Sequence, residues 1–337
     1  MNQPDGSIGV RIRGTGSSAP KRHLTNADLE KMVDTSDEWI QQRTGIKERR
    51  ICDPETEGTF TMSRDSLTNA LDAAGLKGSD LDLVIVATCT PEMTCPSVAC
   101  RVAAAVGAIP AGAFDLTAAC SGFVYGLNIA DTMIRSGRYR RIGVVGADAM
   151  SSVIDYTERT ISILFGDGSG AAVLEADENP ERGCLYQLME SDGSDWHSLY
   201  MPRRQVEAAE GETTQGPCDI DLGRLRMNGR EVYKFAVNKF RQIIEDALEK
   251  TGLGIDDVSQ FVCHQSNIRI IESACEKLGL DRDRVYTNID RYGNTSAGSV
   301  GLCLDELTRS GKCSEGEIVL FVAFGGGLTW TSSVWRM

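Results

Sequence analysis

The chain repeats itself. Residues Ala70 to Thr88, ALDAAGLKGSDLDLVIVAT, and Ala247 to Gln265, ALEKTGLGIDDVSQFVCHQ, carry the same signals in the same order. Each reads as the end of an amphipathic helix, a glycine stop, an acidic turn and an apolar strand. About thirty residues beyond the first strand comes Cys120, and about thirty beyond the second comes Asn294 in YGNTSAGSVGLCL, each ahead of small residues and a helical pattern. Each half then closes with a Gly-rich strand pair, FGDGSGAAVLEA from Phe165 and VLFVAFGGGLTWTSSVW from Val319. Helices alternating with short apolar strands predict an α/β architecture of helix-covered sheets. The polar segment from about Glu190 to Gly216 lacks periodicity and is expected to be loop and linker.

Composition narrows the class. A chain of 337 residues, 41% apolar and 25% charged, has the material for one large core or two similar domains. MNQPDGSIGVRIRG has no apolar stretch of the signal-peptide kind, and no window approaches the roughly 18 apolar residues of a membrane span, so a cytoplasmic protein is expected. Eleven cysteines, an odd number with no C-x-x-C pair, suggest reduced, mostly buried thiols rather than a disulfide framework. A net charge of −13 argues against general nucleic-acid binding, and an acidic partner would need a local basic patch.

Within DLTAACSGFVYGLNIAD, Phe123, Leu127, Ala130 and Ile134 recur at helical spacing, so Cys120 falls at the start of a buried helix. The free N–H groups and positive dipole end there are expected to lower the thiol's pKa. Ala118, Ala119 and Gly122 leave room for a substrate at the sulfur. The chain has three histidines as partners. His23 reads as a loop residue, and His197 as either surface or lid. His264 ends an apolar strand just before a helix beginning near Asn267, where ligand sites of α/β proteins gather. Asn294 reads equally well as turn chemistry or as a site residue.

At these residues the sequence resembles the β-ketoacyl-acyl carrier protein synthase III family, condensing enzymes of the thiolase superfamily. The resemblance covers nearly the whole chain: VDTSDEWIQQRTGIKERR from Val33, DLTAACSGFVYGL, FGDGSGAAVL, NGREVYKFAV from Asn228, HQSNIRI from His264, RYGNTSAGS and AFGGGLTW. It implies a thiolase-like, five-layered αβαβα fold of duplicated halves, residues 1–180 with the nucleophile and 181–337 with the histidine and asparagine. The family's Cys-His-Asn set falls on Cys120, His264 and Asn294.

The resemblance also implies roles. Cys120 takes the acyl group of an acyl-CoA, with the oxyanion held by backbone N–H groups of Cys120 and Gly326. Malonyl-acyl carrier protein then loses CO₂, with His264 and Asn294 donating to the enolate. No metal or redox cofactor is implied; acyl-CoA is a substrate. CoA contacts fall on Trp39, Arg43, Arg159 and Asn267, and carrier-protein docking on Lys234, Arg269 and Lys277. Of two further cations, Lys239 is expected to face solvent and Arg241 to border the apolar Val237, Phe240, Ile244 stripe. A cytoplasmic homodimer is expected, without nucleic-acid or membrane partners.

The sequence departs from the family pattern at three places. Cys95 stands where relatives place a bulky side chain bounding the acyl pocket across the dimer interface, which leaves room for primers longer than acetyl. HQSN replaces the commoner HQAN, and Gly301 stands where proline is frequent. Phe324 reads either as a gate over the cysteine or as core. The FGDGSGA glycines match no nucleotide-loop spacing and are expected to form a tight strand connection. Polyketide or quinolone starter-unit synthases share the same three residues, and a non-catalytic acyl-CoA binding module is the alternative from another class.

Overall fold

Leu83–Ala87 and Ile318–Gly325 are buried along their whole length, so each must be covered on both faces. In the computed structural model, which describes residues 8–203 and 222–337, they are interior strands of two five-stranded sheets. The first sheet contains β1 (Gly9–Ser18), β2 (Leu83–Ala87), β3 (Gly112–Leu116), β4 (Arg141–Ala149) and β5 (Asp167–Asp177), in the order β1-β5-β4-β2-β3. The second contains β6 (Gly183–Ser191), β7 (Gln260–Cys263), β8 (Val285–Tyr286), β9 (Ile318–Gly325) and β10 (Thr329–Arg336), in the order β6-β10-β9-β7-β8. The two orders are equivalent, and so is the pattern of parallel and antiparallel neighbours.

The helices repeat as well. Helix α1 (Asp37–Thr44) lies in an insertion of the first half. Helices α2 (Thr59–Ala74) and α3 (Val98–Val106) cover the outer face of the first sheet, and α5 (Gly229–Thr251) and α6 (Ile268–Leu278) that of the second. Between the sheets lie α4 (Gly122–Arg135) and α7 (Gly298–Arg309). Strand alternation feeds these layers: Leu83 and Ile85 face the central helices while Val84 and Val86 face α2 and α3. Five αβαβα layers result. The glycine stops of the duplicated segments, Gly75 and Gly252, both cap helices at φ of 66° and 69°.

Three expectations are corrected. The supposed linker is structured at its start: Glu190 and Ser191 end β6, Gly193–Ser198 forms a 3₁₀ turn, and Leu199–Tyr200 pairs with Arg226–Met227. Residues 204–221 of that segment lie outside the described residues. The FGDGSGA glycines do not make a strand connection. Gly168 and Gly170 lie within β5, where a Cβ on Gly170 would sit 2.1 Å from the backbone of Gly301, so they let α7 rest directly on the strand. Finally, Lys239 does not face solvent freely: its Nζ sits 3.9 Å over the Trp330 ring, while Arg241 is exposed and paired with Glu245 at 2.8 Å.

The ten cysteines among the described residues are unbridged. No helix among these residues is long and apolar enough to cross a membrane.

Candidate active site

The parallel strands deliver their carboxyl ends to one place. Cys120 sits in a 3₁₀ turn, Ala119–Ser121, that leads into α4 from the loop after β3. Ala119 holds φ of 46°, a left-handed conformation costly for alanine and kept only where its surroundings enforce it. The end of β9 packs directly on this turn: a Cβ on Gly325 would lie 2.7 Å from the Cys120 nitrogen and 3.2 Å from the Ala119 Cβ, so only glycine lets the strand end approach this backbone.

From the second half, His264 follows β7 directly and Asn294 precedes α7 through the short turn Asn294–Ala297. Cys120, His264 and Asn294 are 7%, 1% and 5% exposed and line one cavity of about 160 Å³. The His264 Nδ1 lies 2.7 Å from Ser299 Oγ. That oxygen also accepts the Gln265 N–H at 3.5 Å; with the Ser299 hydroxyl donating to Nδ1, the ring proton is assigned to Nε2. Burial pulls His264 down to about 3, so the imidazole is neutral. The Asn294 Oδ1 accepts the Ser296 N–H at 2.9 Å, which leaves the NH₂ end as the group offered to a ligand.

The expected low pKa of Cys120 is not found. Burial pushes the thiol up to about 12, against a 3.5 Å hydrogen bond between Sγ and Ser296 Oγ. The resting group is a neutral thiol, because loss of hydration, with the Asp148 charge nearby, outweighs the hydrogen bonds from Ser296 and the Cys120 N–H. The Cys120 N–H is turned toward its own sulfur. Beneath the site, buried Asp148 accepts from the Cys89 and Thr90 N–H groups at 2.8 and 3.1 Å through one oxygen and from Ala297 N–H at 3.2 Å through the other.

Family models for 3-oxoacyl-[acyl-carrier-protein] synthase III match residues 114–193 and, for its C-terminal part, residues 248–337. A relative in Caldanaerobacter subterraneus, named beta-ketoacyl-[acyl-carrier-protein] synthase III, is 47% identical over 97% of either chain. The chain belongs to this family. A Xanthomonas campestris synthase III is 44% identical over 97% of this chain and 98% of its own. The crystal structure of the Aquifex aeolicus synthase III superposes with a TM-score of 0.90 at 42% identity, covering 98% of this chain and 100% of that one. A priming β-ketosynthase of the R1128 polyketide pathway superposes at 0.87 with 35% identity, covering 98% of this chain and 96% of that one.

The other residues singled out by the sequence resemblance fall as follows. Arg43 and Arg159 place their guanidinium carbons 5.6 and 5.2 Å from the centre of the Trp39 ring, so these three form one cluster. Asn267 lines the cavity and caps α6 by accepting the Arg269 N–H at 2.9 Å. Gly326 lies beside Ala119, one residue past the glycine pressed on the Cys120 nitrogen. Phe324 is buried, lines the cavity and meets His264 edge-on at 5.5 Å, which makes it both core and wall. Lys234, Arg269 and Lys277 are exposed on α5 and α6. Cys95 is exposed and is not part of the cavity wall. His23 and His197 are exposed and pair with Glu48 and Asp195, so neither joins the site.

Sequence reasoning missed Ser296, Ser299, Asp148 and Cys89, whose sulfur lies 3.9 Å from Ser296 Oγ. The serines stand in the same small-residue stretch that was read only as helix start. Asp148 is the penultimate residue of β4, and nothing in its local pattern marks it.

Proposed function

We propose that this synthase joins an acyl-CoA primer to malonyl-acyl carrier protein, giving a 3-ketoacyl-acyl carrier protein, CoA and CO₂ and so starting fatty acid synthesis. The observation that carries the reading is the meeting of a thiol, a neutral imidazole and a free amide NH₂ in one cavity. In the first half-reaction the Cys120 sulfur adds to the thioester carbonyl. The oxyanion lies at the start of α4, where the Cys120 N–H and that of Gly326 are assigned to hold it. The carbon–sulfur bond to CoA then breaks, and CoA leaves with the thiol proton, so no free thiolate has to accumulate at rest.

In the second half-reaction the malonyl carbon–carbon bond to the carboxylate breaks. Its electron pair flows into the thioester as an enolate, whose oxygen receives hydrogen bonds from His264 Nε2–H and the Asn294 NH₂. A neutral imidazole suits that task, since it donates without having to lose its charge afterwards. The enolate carbon attacks the acyl group, the bond to Cys120 breaks, and the sulfur regains a proton from solvent. Both steps are nucleophilic displacements and call on no metal or redox group.

The reading includes a homodimer, a cytoplasmic setting, halves divided at 180/181, CoA adenine at the Trp39, Arg43, Arg159 cluster, carrier docking at Lys234, Arg269 and Lys277, and an acyl pocket that Cys95 bounds only across the dimer interface, outside its own chain's cavity. The similarity to a polyketide priming synthase makes the donor the open variable. Intact-protein mass spectrometry with a panel of acyl-CoAs tests all of this at its root. The wild type should gain one acyl group and lose it to malonyl-acyl carrier protein, and Cys120→Ala should gain none. Absence of any adduct would leave only the binding-module reading.

A further inference from the structure

Ser296 stands at a backbone position that suits another residue better. Its φ is 50°, left-handed backbone that strains a serine and leaves a glycine at ease. Three hydrogen bonds fix the turn: Asn294 Oδ1 accepts the Ser296 N–H at 2.9 Å, Asp148 Oδ2 the Ala297 N–H at 3.2 Å, and the Thr295 carbonyl the Gly298 N–H at 2.9 Å. None of them uses the serine hydroxyl, so the turn does not explain the side chain.

What the hydroxyl meets is sulfur. Cys120 Sγ lies 3.5 Å and Cys89 Sγ 3.9 Å from the buried Ser296 Oγ. Cys120 belongs to the first half of the chain and Ser296, 176 residues further on, to the second. Among the described residues, Ser296 is the one side chain hydrogen-bonded to the nucleophile, while His264 and Asn294 bond to Ser299 and to the Ser296 N–H. Against the burial that raises this thiol, the bond is the largest influence favouring the ionised sulfur. At rest the S–H of Cys120 donates to Oγ, which leaves the hydroxyl's own hydrogen to Cys89 Sγ, a weak acceptor. Rotation about the Cβ–Oγ bond brings that hydrogen to Cys120 once its sulfur has no proton.

We propose that Ser296 is a catalytic residue that turns from accepting the Cys120 thiol to donating to its sulfur whenever that sulfur carries negative charge. The inference rests on the condensing activity proposed above. In loading, the thiol proton departs with CoA as the new carbon–sulfur bond forms, and the hydroxyl holds the charge in between. In condensation, the bond from the acyl carbon to Sγ breaks, its electron pair stays on sulfur, and the hydroxyl donates until solvent returns the proton. Ser296 itself gains and loses nothing.

The test uses Ser296→Gly, which suits the left-handed backbone, and Ser296→Ala, which removes the same oxygen. Alkylation of Cys120 by iodoacetamide, followed by peptide mapping between about pH 7 and about pH 10, should run about tenfold slower in both variants. Their profiles should lie about one pH unit to the alkaline side of the wild type. Single-turnover loading from acetyl-CoA and discharge to malonyl-acyl carrier protein should each slow by about tenfold, with half-saturation by acetyl-CoA unchanged. Equal or faster alkylation in the variants overturns the assignment, because removing a merely structural serine leaves the sulfur as reactive or more open. A loss in only one variant traces the effect to the backbone and overturns it too. A wild type that loads no acyl-CoA would refute the condensing reading, while alkylation, which needs no substrate, still decides the role of Ser296 at the sulfur.

Discussion

Ser299 Oγ lies 2.7 Å from His264 Nδ1, and as the donor in this bond it holds the ring proton on Nε2. The hydroxyl comes from the first turn of α7 and the ring from the end of β7, so two neighbouring elements of the second half set one tautomer. Replacing Ser299 by alanine frees Nδ1 to take the proton and removes the donor aimed at the enolate. We expect Ser299→Ala to acylate Cys120 normally while decarboxylation of malonyl-acyl carrier protein falls by about 10- to 100-fold, approaching the 10²–10³ typical of a lost oxyanion donor. Single-turnover assays of the two half-reactions check it; equal slowing of both would show that Ser299 serves the fold instead.

Asn294→Asp removes the NH₂ donor and sets a carboxylate against the developing enolate. Loading should survive and condensation should fall by at least about 10²-fold, with CO₂ release and product formation lost together. Measuring radiolabelled CO₂ alongside the ketoacyl product distinguishes this from a variant that decarboxylates without condensing.

His264 stays neutral to about pH 3, whereas an unfolded-chain histidine protonates near 6.5. Between those values the unfolded state binds the extra proton, so this residue makes the protein less stable as pH falls below 6.5, by up to about 1.4 kcal/mol per pH unit. Urea unfolding at pH 6.5 and 5.5 should show a loss about 1 kcal/mol shallower in His264→Gln than in wild type. Parallel slopes would mean the ring protonates in the folded state.

The thiol gives a different readout. Cys120 is buried and held at about 12, while Cys95 and Cys100 are exposed. Iodoacetamide near neutral pH should therefore label Cys95 and Cys100 first, with Cys120 lagging, and prior loading with an acyl-CoA should protect Cys120 altogether because its sulfur is then held in a thioester. Peptide mapping after a short pulse reads the order directly, and rapid labelling of Cys120 would point to a resting thiolate.

Packing of the two halves is open to a simpler test. Gly170→Ala puts a methyl group 2.1 Å from the Gly301 carbonyl carbon, between a strand and a helix that are both buried. Destabilisation of roughly 1–3 kcal/mol or more is expected from such overpacking, seen as a lower denaturation midpoint. An unchanged midpoint would show that α7 yields more easily than its contacts suggest.

Much of this site was legible in the sequence because its chemistry and its repeat coincide. The duplicated helix-turn-strand segments placed Cys120 and His264 beyond strand ends, and the glycine stops at Gly75 and Gly252 marked helix ends that the structure reproduces. What escaped was set by distance along the chain. Asp148 and Ala297 are 149 residues apart, and no local pattern announces a carboxylate that binds a distant N–H. The thiol's ionisation escaped for another reason: helix position is visible in a sequence, but the depth of burial is not. Gly168 and Gly170 were misread because a glycine that turns the chain and a glycine that admits a neighbour look alike until the neighbour is known.

The shared cavity also fixes the order of events. Cys120, His264 and Asn294 face a space of about 160 Å³, so loading and condensation happen at the same point. Two pantetheine arms have no separate stalls there: CoA must withdraw before the carrier's arm can enter. The synthase is thereby committed to taking turns, with free CoA a competitor of the carrier protein at the acylated enzyme and malonyl-carrier a competitor of the primer at the empty one. The relative supply of the two thioesters then sets how often a chain is begun.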